Sequence, residues 1–231
     1  MRVISGRYKG RKIDAPQGRE LRPTSEKVKE ALFSMIASIM APVVGGDAPL
    51  EDMTCLDLFA GTGALGIEAL SRGARSCVFA EVDPSAARVL EGNVGRIVNA
   101  GGMGLPTTYT RVLKSDWRVA LRRLDGGIDI AFVDPPYESG YYDEVMKTFL
   151  EYGIISDGGL VALERAYSGN SSQNGAGRRV RGGMSRIDFI ETGQVSLFGR
   201  YEGFELIRER RYGKTLVEVY KRVVPGTGRL R

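Results

Sequence analysis

The segment Asp134-Pro135-Pro136-Tyr137 holds a carboxylate, a rigid carbonyl and an aromatic face within four residues. Two prolines fix the backbone in an extended turn, so the Asp134 side chain and the Pro135 carbonyl form a preset pair of acceptors. Such a pair suits a planar exocyclic amine, whose lone pair is delocalised into its ring. Directing both N–H bonds at acceptors favours the pyramidal nitrogen that can attack an electrophile, and Asp134 can also take the proton. Tyr137 supplies a face on which a base swung out of its stack can lie. Taken alone, the tetrad also fits an ordinary loop with Tyr137 closing the core, so its position at a strand end decides the reading.

Upstream, Leu56 to Gly66 reads as a strand that runs through a glycine turn into a helix. Gly61 and Gly63 let the backbone pass close to a ligand, and the helix start offers free N–H groups beside Asp57 and Phe59. The next strand ends at Glu81, about 20 residues beyond the turn, where a Rossmann-type site binds ribose hydroxyls. Asp83, just before Pro84, reads as a helix N-cap. The third strand ends in Asp116 and Trp117, suited to accept from an adenine amino group and to line its ring. A helix cap is the competing role for Asp116. Three consecutive strand ends with polar residues point to a cofactor crevice. Dinucleotide dehydrogenases share these features, but Asp57 sets an acid where a pyrophosphate would lie. An anion there repels phosphate and suits a sulfonium and an ammonium group, which favours S-adenosylmethionine.

Composition narrows the alternatives. The 231 residues contain no histidine, which excludes histidine-dependent triads and removes the commonest transition-metal ligand, so no metal is expected. Cys55 and Cys77 fall in strand-like runs and read as buried thiols. Net charge is +5 and the pI is near 9.2, with Arg2, Arg7, Lys9, Arg11 and Lys12 all preceding the first acid, Asp14. That cluster fits either a phosphate-binding surface or a solvated basic tail. No apolar run reaches membrane-spanning length and the N-terminus lacks a leader pattern, so a cytoplasmic protein is expected.

The elements that must position these residues follow from periodicity. Met1 to Arg22 suggests a small hairpin packed on the body, and a helix capped by Thr24 or Ser25 is expected to run to about Met40. Strands at Cys55 to Phe59, Ser76 to Ala80, Tyr109 to Leu113, Ile128 to Val133 and Leu160 to Glu164 alternate with helices at Ala64 to Ser71, Ser85 to Val98, Trp117 to Leu124 and Tyr141 to Glu151. This alternation is that of an α/β fold with a parallel sheet covered on both faces. Gln194 to Phe198 and Leu216 to Tyr220 read as a closing antiparallel pair. The domain reading is a basic extension over 1–22 and a main domain over 23–231, interrupted by a polar, basic, flexible insertion at 168–186.

The sequence resembles the bacterial guanine-N2 methyltransferases that act on 16S ribosomal RNA. The matching segments are Ile4-Ser5-Gly6, Lys9 to Lys12, Leu21-Arg22-Pro23-Thr24 and Glu30-Ala31-Leu32-Phe33. They continue with Asp57 to Gly66, Glu68 to Ala74, Glu81, Asp134 to Tyr137 and Arg211-Tyr212-Gly213-Lys214-Thr215. The resemblance implies a Rossmann-like S-adenosylmethionine-dependent fold, with a mostly parallel seven-stranded sheet and a small N-terminal hairpin. It also implies methylation of a guanine N2 in 16S RNA, within the small subunit or a late assembly intermediate. Asp134, Pro135 and Tyr137 would then be catalytic, with Arg7, Lys9, Arg11, Lys12, Arg22, Thr24 and Pro136 facing the RNA. DNA adenine-N6 methylation and a non-catalytic RNA-binding role are the alternatives.

Overall fold

The computed structural model describes residues 1–16, 25–44, 50–99, 109–136, 140–167 and 201–224. The expected strand at Gln194 to Phe198 and the insertion at 168–186 lie outside them, as do Arg22, Thr24 and Tyr137. Ser25 starts helix α1 (Glu26–Val44), its Oγ accepting from the Val28 N–H at 3.2 Å as an N-cap does. There follow β1 (Thr54–Asp57), α2 (Ala64–Ser71), β2 (Ser76–Ala80) and α3 (Pro84–Val94), which ends in a π turn at Gly95–Asn99. The chain continues with β3 (Tyr109–Leu113), α4 (Trp117–Leu121), β4 (Ile128–Val133), α5 (Tyr142–Glu151), β5 (Ile155–Ala166), β6 (Phe204–Tyr212) and β7 (Thr215–Arg222).

The seven strands form one sheet in the order β3-β2-β1-β4-β5-β7-β6. Strands β1 to β5 are parallel, and β7 runs antiparallel between β5 and β6. Strand order reverses between β1 and β4, and such a reversal opens a crevice beyond the strand C-termini. Each face buries its own apolar cluster. Leu32, Phe33, Ile67 and Phe79 lie on the α1 and α2 side, and Trp117, Leu121, Val145 and Phe149 lie on the α4 and α5 side. This two-sided burial explains why β4 is apolar at five of its six positions and why β1 is buried from Cys55 to Asp57.

Three expectations change. The strand expected from Leu160 starts instead at Ile155, because Asp157-Gly158-Gly159 is a bulge within β5 and not a turn before it; pairing to β4 jumps from Ile128↔Ile155 to Ile130↔Leu160. β6 was not foreseen at all, since Phe204–Tyr212 is largely exposed and charged. Helix α4 stops at Leu121, one turn early.

The first residues fold back on themselves. Arg2 bridges Lys12, the Val3 N–H donates to the Arg11 carbonyl at 3.0 Å, and Val3, Tyr8 and Ile13 enter the core beside α2. Gly6 has φ +80°, and a Cβ there would lie 1.8 Å from the Ser71 carbonyl oxygen, so only glycine fits this contact. Among the described residues no helix is long and apolar enough to cross a membrane.

Candidate active site

Strand register gathers three acids at one edge. Asp57 on β1 pairs with Phe79 of β2 and with Phe132 of β4. Glu81 and Asp134 therefore each stand two residues beyond it on the flanking strands, about 7 Å further along the strand direction. All three border the crevice at the reversal of strand order.

After β1 the chain makes a tight turn, with the Gly63 N–H donating to the Ala60 carbonyl at 2.7 Å and Gly63 at φ +81°. Glu81 ties this turn to the next strand end. Its Oε2 accepts from the Gly61 N–H at 2.8 Å and its Oε1 from the Asp83 N–H at 2.7 Å. A carboxylate has about four lone-pair sites, so acceptor capacity remains for ligand hydroxyls. A Cβ on Gly61 would meet nothing within 4 Å, which leaves room for a ligand over the turn. Asp83 caps α3 through the Ser85 and Ala86 N–H groups.

Asp57 is 4 % exposed and accepts the Gly66 N–H at 2.8 Å. Burial pushes its carboxyl up to about 7, the Gly66 bond pulls it back, and the charge of Glu81 pushes it further up. No cation pairs with it among the described residues. A ligand that brings both a positive charge and hydroxyls would complement Asp57 and Glu81 together.

At the third strand end the structure redistributes the expected roles. Asp116 caps α4, its Oδ1 accepting from the Arg118 N–H at 2.9 Å. Trp117 is 3 % exposed, so its ring backs the crevice wall and is not offered as an open stacking face. It packs against Phe59 at 6.4 Å and Tyr141 at 5.9 Å, while Phe59 and Tyr141 stack at 6.3 Å with 9° between their planes. The Trp117 Nε1 is buried without an acceptor among the described residues. Arg118 lies over both the Trp117 and Tyr141 rings and is chelated by Glu144 at 2.7 and 2.6 Å. Sequence reading missed Tyr141 and the Arg118–Glu144 pair; an aromatic at the start of the helix after the tetrad was the available signal for Tyr141.

The tetrad continues from β4, with Asp134 half-buried, Pro135 buried and Pro136 exposed. Register Val133↔Leu163 sets Asp134 beside the end of β5. Among the described residues no cluster could hold a metal ion.

The basic N-terminal residues are not brought to this edge. The Arg7 N–H donates to the Ser71 carbonyl at 2.7 Å, at the end of α2 remote from the glycine turn and about 12 Å along that helix. Arg7, Lys9, Arg11 and Lys12 are all exposed. Arg11 donates to the Ile97 carbonyl and Lys12 pairs with Asp14 at 3.5 Å, while no acid pairs with Arg7 or Lys9 among the described residues. The loop is held by Glu68, a fully buried acid in α2. Its carboxylate accepts from the Ile4 and Ser5 N–H groups at 2.8 and 3.0 Å, from Arg72 Nε at 2.8 Å and from Lys29 Nζ at 3.1 Å. Lys29 donates further to the Arg2 carbonyl at 2.8 Å.

Known proteins share this architecture. The family described as "Conserved hypothetical protein 95" matches residues 1–181. Ribosomal RNA small subunit methyltransferase D of Escherichia coli (strain K12) is 34% identical over 164 residues, 71% of this chain and 74% of its own length. An rRNA methyltransferase candidate of Bacillus subtilis (strain 168), YlbH, is 35% identical over 167 residues, 71% and 82% of the two chains. The solved structure of a candidate methyltransferase of Escherichia coli, yhhF, superposes with a TM-score of 0.66 at 30% identity, covering 96% of this chain and 98% of that one. With its reversed strand order, its glycine turn and its acidic strand ends, the chain has the Rossmann-like methyltransferase fold and belongs to the family of ribosomal RNA small subunit methyltransferase D.

Proposed function

We propose that this protein methylates the exocyclic N2 amine of a guanine in 16S ribosomal RNA, using S-adenosylmethionine. The observation that carries the reading is the register that sets Asp57, Glu81 and Asp134 on three adjacent strand ends. Asp57, buried without a cation, fits an ammonium group, and Glu81 keeps acceptor capacity for ribose hydroxyls. Trp117 Nε1 is a buried donor that lacks an acceptor among the described residues, and Phe59 and Tyr141 supply an aromatic wall. Bound S-adenosylmethionine supplies a methyl group activated by its sulfonium charge.

The chain's own contribution is to prepare the amine. Asp134 and the Pro135 carbonyl each receive one N–H of the guanine amine, which draws the nitrogen toward a pyramidal shape and frees its lone pair. Pro135 is buried, so its carbonyl is positioned before the base arrives. As the new C–N bond formed and the donor's methyl–sulfur bond broke, leaving a neutral thioether, the nitrogen would become cationic and its surplus proton would pass to the Asp134 carboxylate or to water. Tyr137 serves as the stacking face, and exposed Pro136 borders the RNA. Arg7 and Lys9 are distal phosphate contacts, with Arg11 and Lys12 largely engaged by the protein itself. Arg22 and Thr24 adjoin the same loop in sequence.

The test is to incubate the protein with isotope-labelled S-adenosylmethionine and protein-free 16S RNA, small subunits or duplex DNA, then digest and identify the labelled nucleoside. N2-methylguanosine from either RNA substrate is expected. N6-methyladenine in DNA, or no labelled nucleoside in any substrate, would overturn the reading.

A further inference from the structure

The crevice poses a problem for an RNA substrate. Its rim carries Asp57, Glu81, Asp116 and Asp134, and acids repel phosphates. Three cations beside those strand ends are paired with acids. Lys114 pairs with Glu91 at 2.9 Å, Arg118 with Glu144 at 2.6 Å, and Arg165 with Glu218 at 2.7 Å. The N-terminal loop lies toward the other end of α2.

One element at the same edge is different. β6 and β7 meet in a tight turn at Gly213 and Lys214, and the Tyr167 N–H just beyond β5 donates to the Lys214 carbonyl at 2.8 Å. β5 is parallel to β4 with Val133 opposite Leu163, so this turn stands at the strand edge that bears Asp134. Tyr167 is four residues past Leu163 and Asp134 one past Val133, which carries the tip about 10 Å above Asp134 and two strands, about 10 Å, to the side. Arg211 and Lys214 are exposed at this turn, exposed Arg210 and Arg208 follow further back along β6, opposite Val217 and Val219, and none of the four is paired with an acid among the described residues. Among the described residues Arg208 and Arg210 donate only to carbonyls of their own strand, at Ile207 and Glu209. The Arg211 guanidinium lies 3.9 Å from the centroid of the 39 % exposed Tyr167 ring, and its Nε is bonded to the Gly213 carbonyl at 2.9 Å.

We propose that β6 and the β6–β7 turn, through Arg208, Arg210, Arg211 and Lys214, form a docking site for the RNA phosphate backbone flanking the methylated base. The inference rests on the RNA methyltransferase reading. Charge complementarity commits it to a polyanion, and the Arg211–Tyr167 stack to RNA in particular. A guanidinium stacked on an aromatic ring can still offer its Nη groups for bidentate phosphate contact, beside a ring on which an unpaired base can lie. A lone cationic strand edge would also discourage sheet-to-sheet pairing, but that role needs neither the stacked arginine nor a position over the reaction edge.

The experiment compares the full-length protein with the quadruple variant Arg208→Ala, Arg210→Ala, Arg211→Ala, Lys214→Ala and the double variant Arg211→Ala, Lys214→Ala. Binding to protein-free 16S RNA is measured across salt, together with KM for RNA, kcat and calorimetric affinity for S-adenosylmethionine. The salt dependence should flatten by about 0.7 to 0.9 in log–log slope for each phosphate that is no longer neutralised, and KM for RNA should rise about tenfold in the quadruple variant. Cofactor affinity should stay within about twofold, and the double variant should show about half the slope change. Unchanged RNA affinity and slope in both variants, with intact cofactor binding, would overturn the docking site while leaving the methyltransferase reading standing. Loss of activity on assembled subunits with wild-type affinity and salt slope for protein-free RNA would also overturn it, since the tip would then be touching protein. A wild-type chain that neither binds nor methylates RNA would instead sink the underlying reading.

Discussion

The two ends of α2 treat a buried carboxylate in opposite ways. Beside its first turn, Asp57 has one N–H donor and no cation, and burial leaves its carboxyl near 7. Further along, Glu68 takes two backbone N–H groups, a lysine and an arginine, all from within the chain. A buried charge must be compensated. Glu68 is compensated by the fold and ties the N-terminal loop down, whereas Asp57 is left for compensation from outside. The difference separates a structural acid from a ligand-binding one without reference to sequence motifs.

Asp134 is the acid nearest the proposed chemistry, and there the largest effect is expected. Asp134→Ala should lower methyl transfer about a thousandfold, within the range for a residue that combines proton acceptance with transition-state hydrogen bonding. Cofactor affinity, read by calorimetry, should change less than about threefold. A variant retaining wild-type turnover would remove Asp134 from the mechanism.

Glu68→Ala should act on the fold instead. It leaves the Lys29 ammonium buried without its carboxylate and strips the Ile4 and Ser5 amides of their acceptor. The expected cost is about 3 to 5 kcal/mol, seen as a fall in Tm of about 10 °C. Glu68→Gln keeps one acceptor oxygen and should lose less. Pairing Glu68→Met with Lys29→Met should not restore stability, because the two amides would still be orphaned. Full recovery in that double variant would mean that the ion pair alone, and not the latch on the loop, sets the cost.

Much of the reaction edge was legible because local sequence dictates it. Glycine spacing, an acid at a strand end and a proline pair each constrain the backbone within a few residues, and the register then aligned Asp57, Glu81 and Asp134. What could not be read depends on distant partners. Glu68 and Lys29 look like ordinary surface residues of amphipathic helices until the N-terminal loop closes over them. Trp117 was expected to line an adenine ring, and only the packing of Phe59 and Tyr141 shows its own ring to be buried in a wall. β6 escaped because an edge strand that is exposed between its ends needs no apolar alternation, so Phe204–Tyr212 reads as a charged stretch. Counting N-terminal cations also could not separate Arg11 and Lys12, which contact Ile97 and Asp14, from Arg7 and Lys9.

Asp57→Asn tests the other half of the comparison and should have a moderate effect. The amide oxygen still accepts the Gly66 N–H, so the turn survives, but attraction for a cationic ligand is lost and cofactor affinity should fall about tenfold. The pH dependence follows from the raised carboxyl. Below about 7 the free protein holds Asp57 protonated, so cofactor binding should tighten as pH rises through that value and release a proton as it does. Stability moves the other way. Between the unfolded value near 3.8 and about 7 the native state binds the extra proton, so Asp57 makes the fold progressively less stable as pH rises through this window. The Asn variant should therefore gain in relative Tm from pH 5 to pH 8. A pH-independent cofactor affinity in the wild type would show that Asp57 does not meet the ligand's charge.

The smallest effect is expected at the latched loop itself. Arg7→Ala with Lys9→Ala removes two unpaired cations without disturbing Glu68, since the loop is held by backbone amides. If they touch phosphates, RNA affinity should fall about threefold and the salt slope should flatten by about 1.4 to 1.8. Arg11→Ala with Lys12→Ala should change the slope less, because those side chains already have partners in the protein. Were the second pair to matter more than the first, the division into free and engaged charge would fail, and the loop would have to meet RNA in a different conformation from the one Glu68 holds.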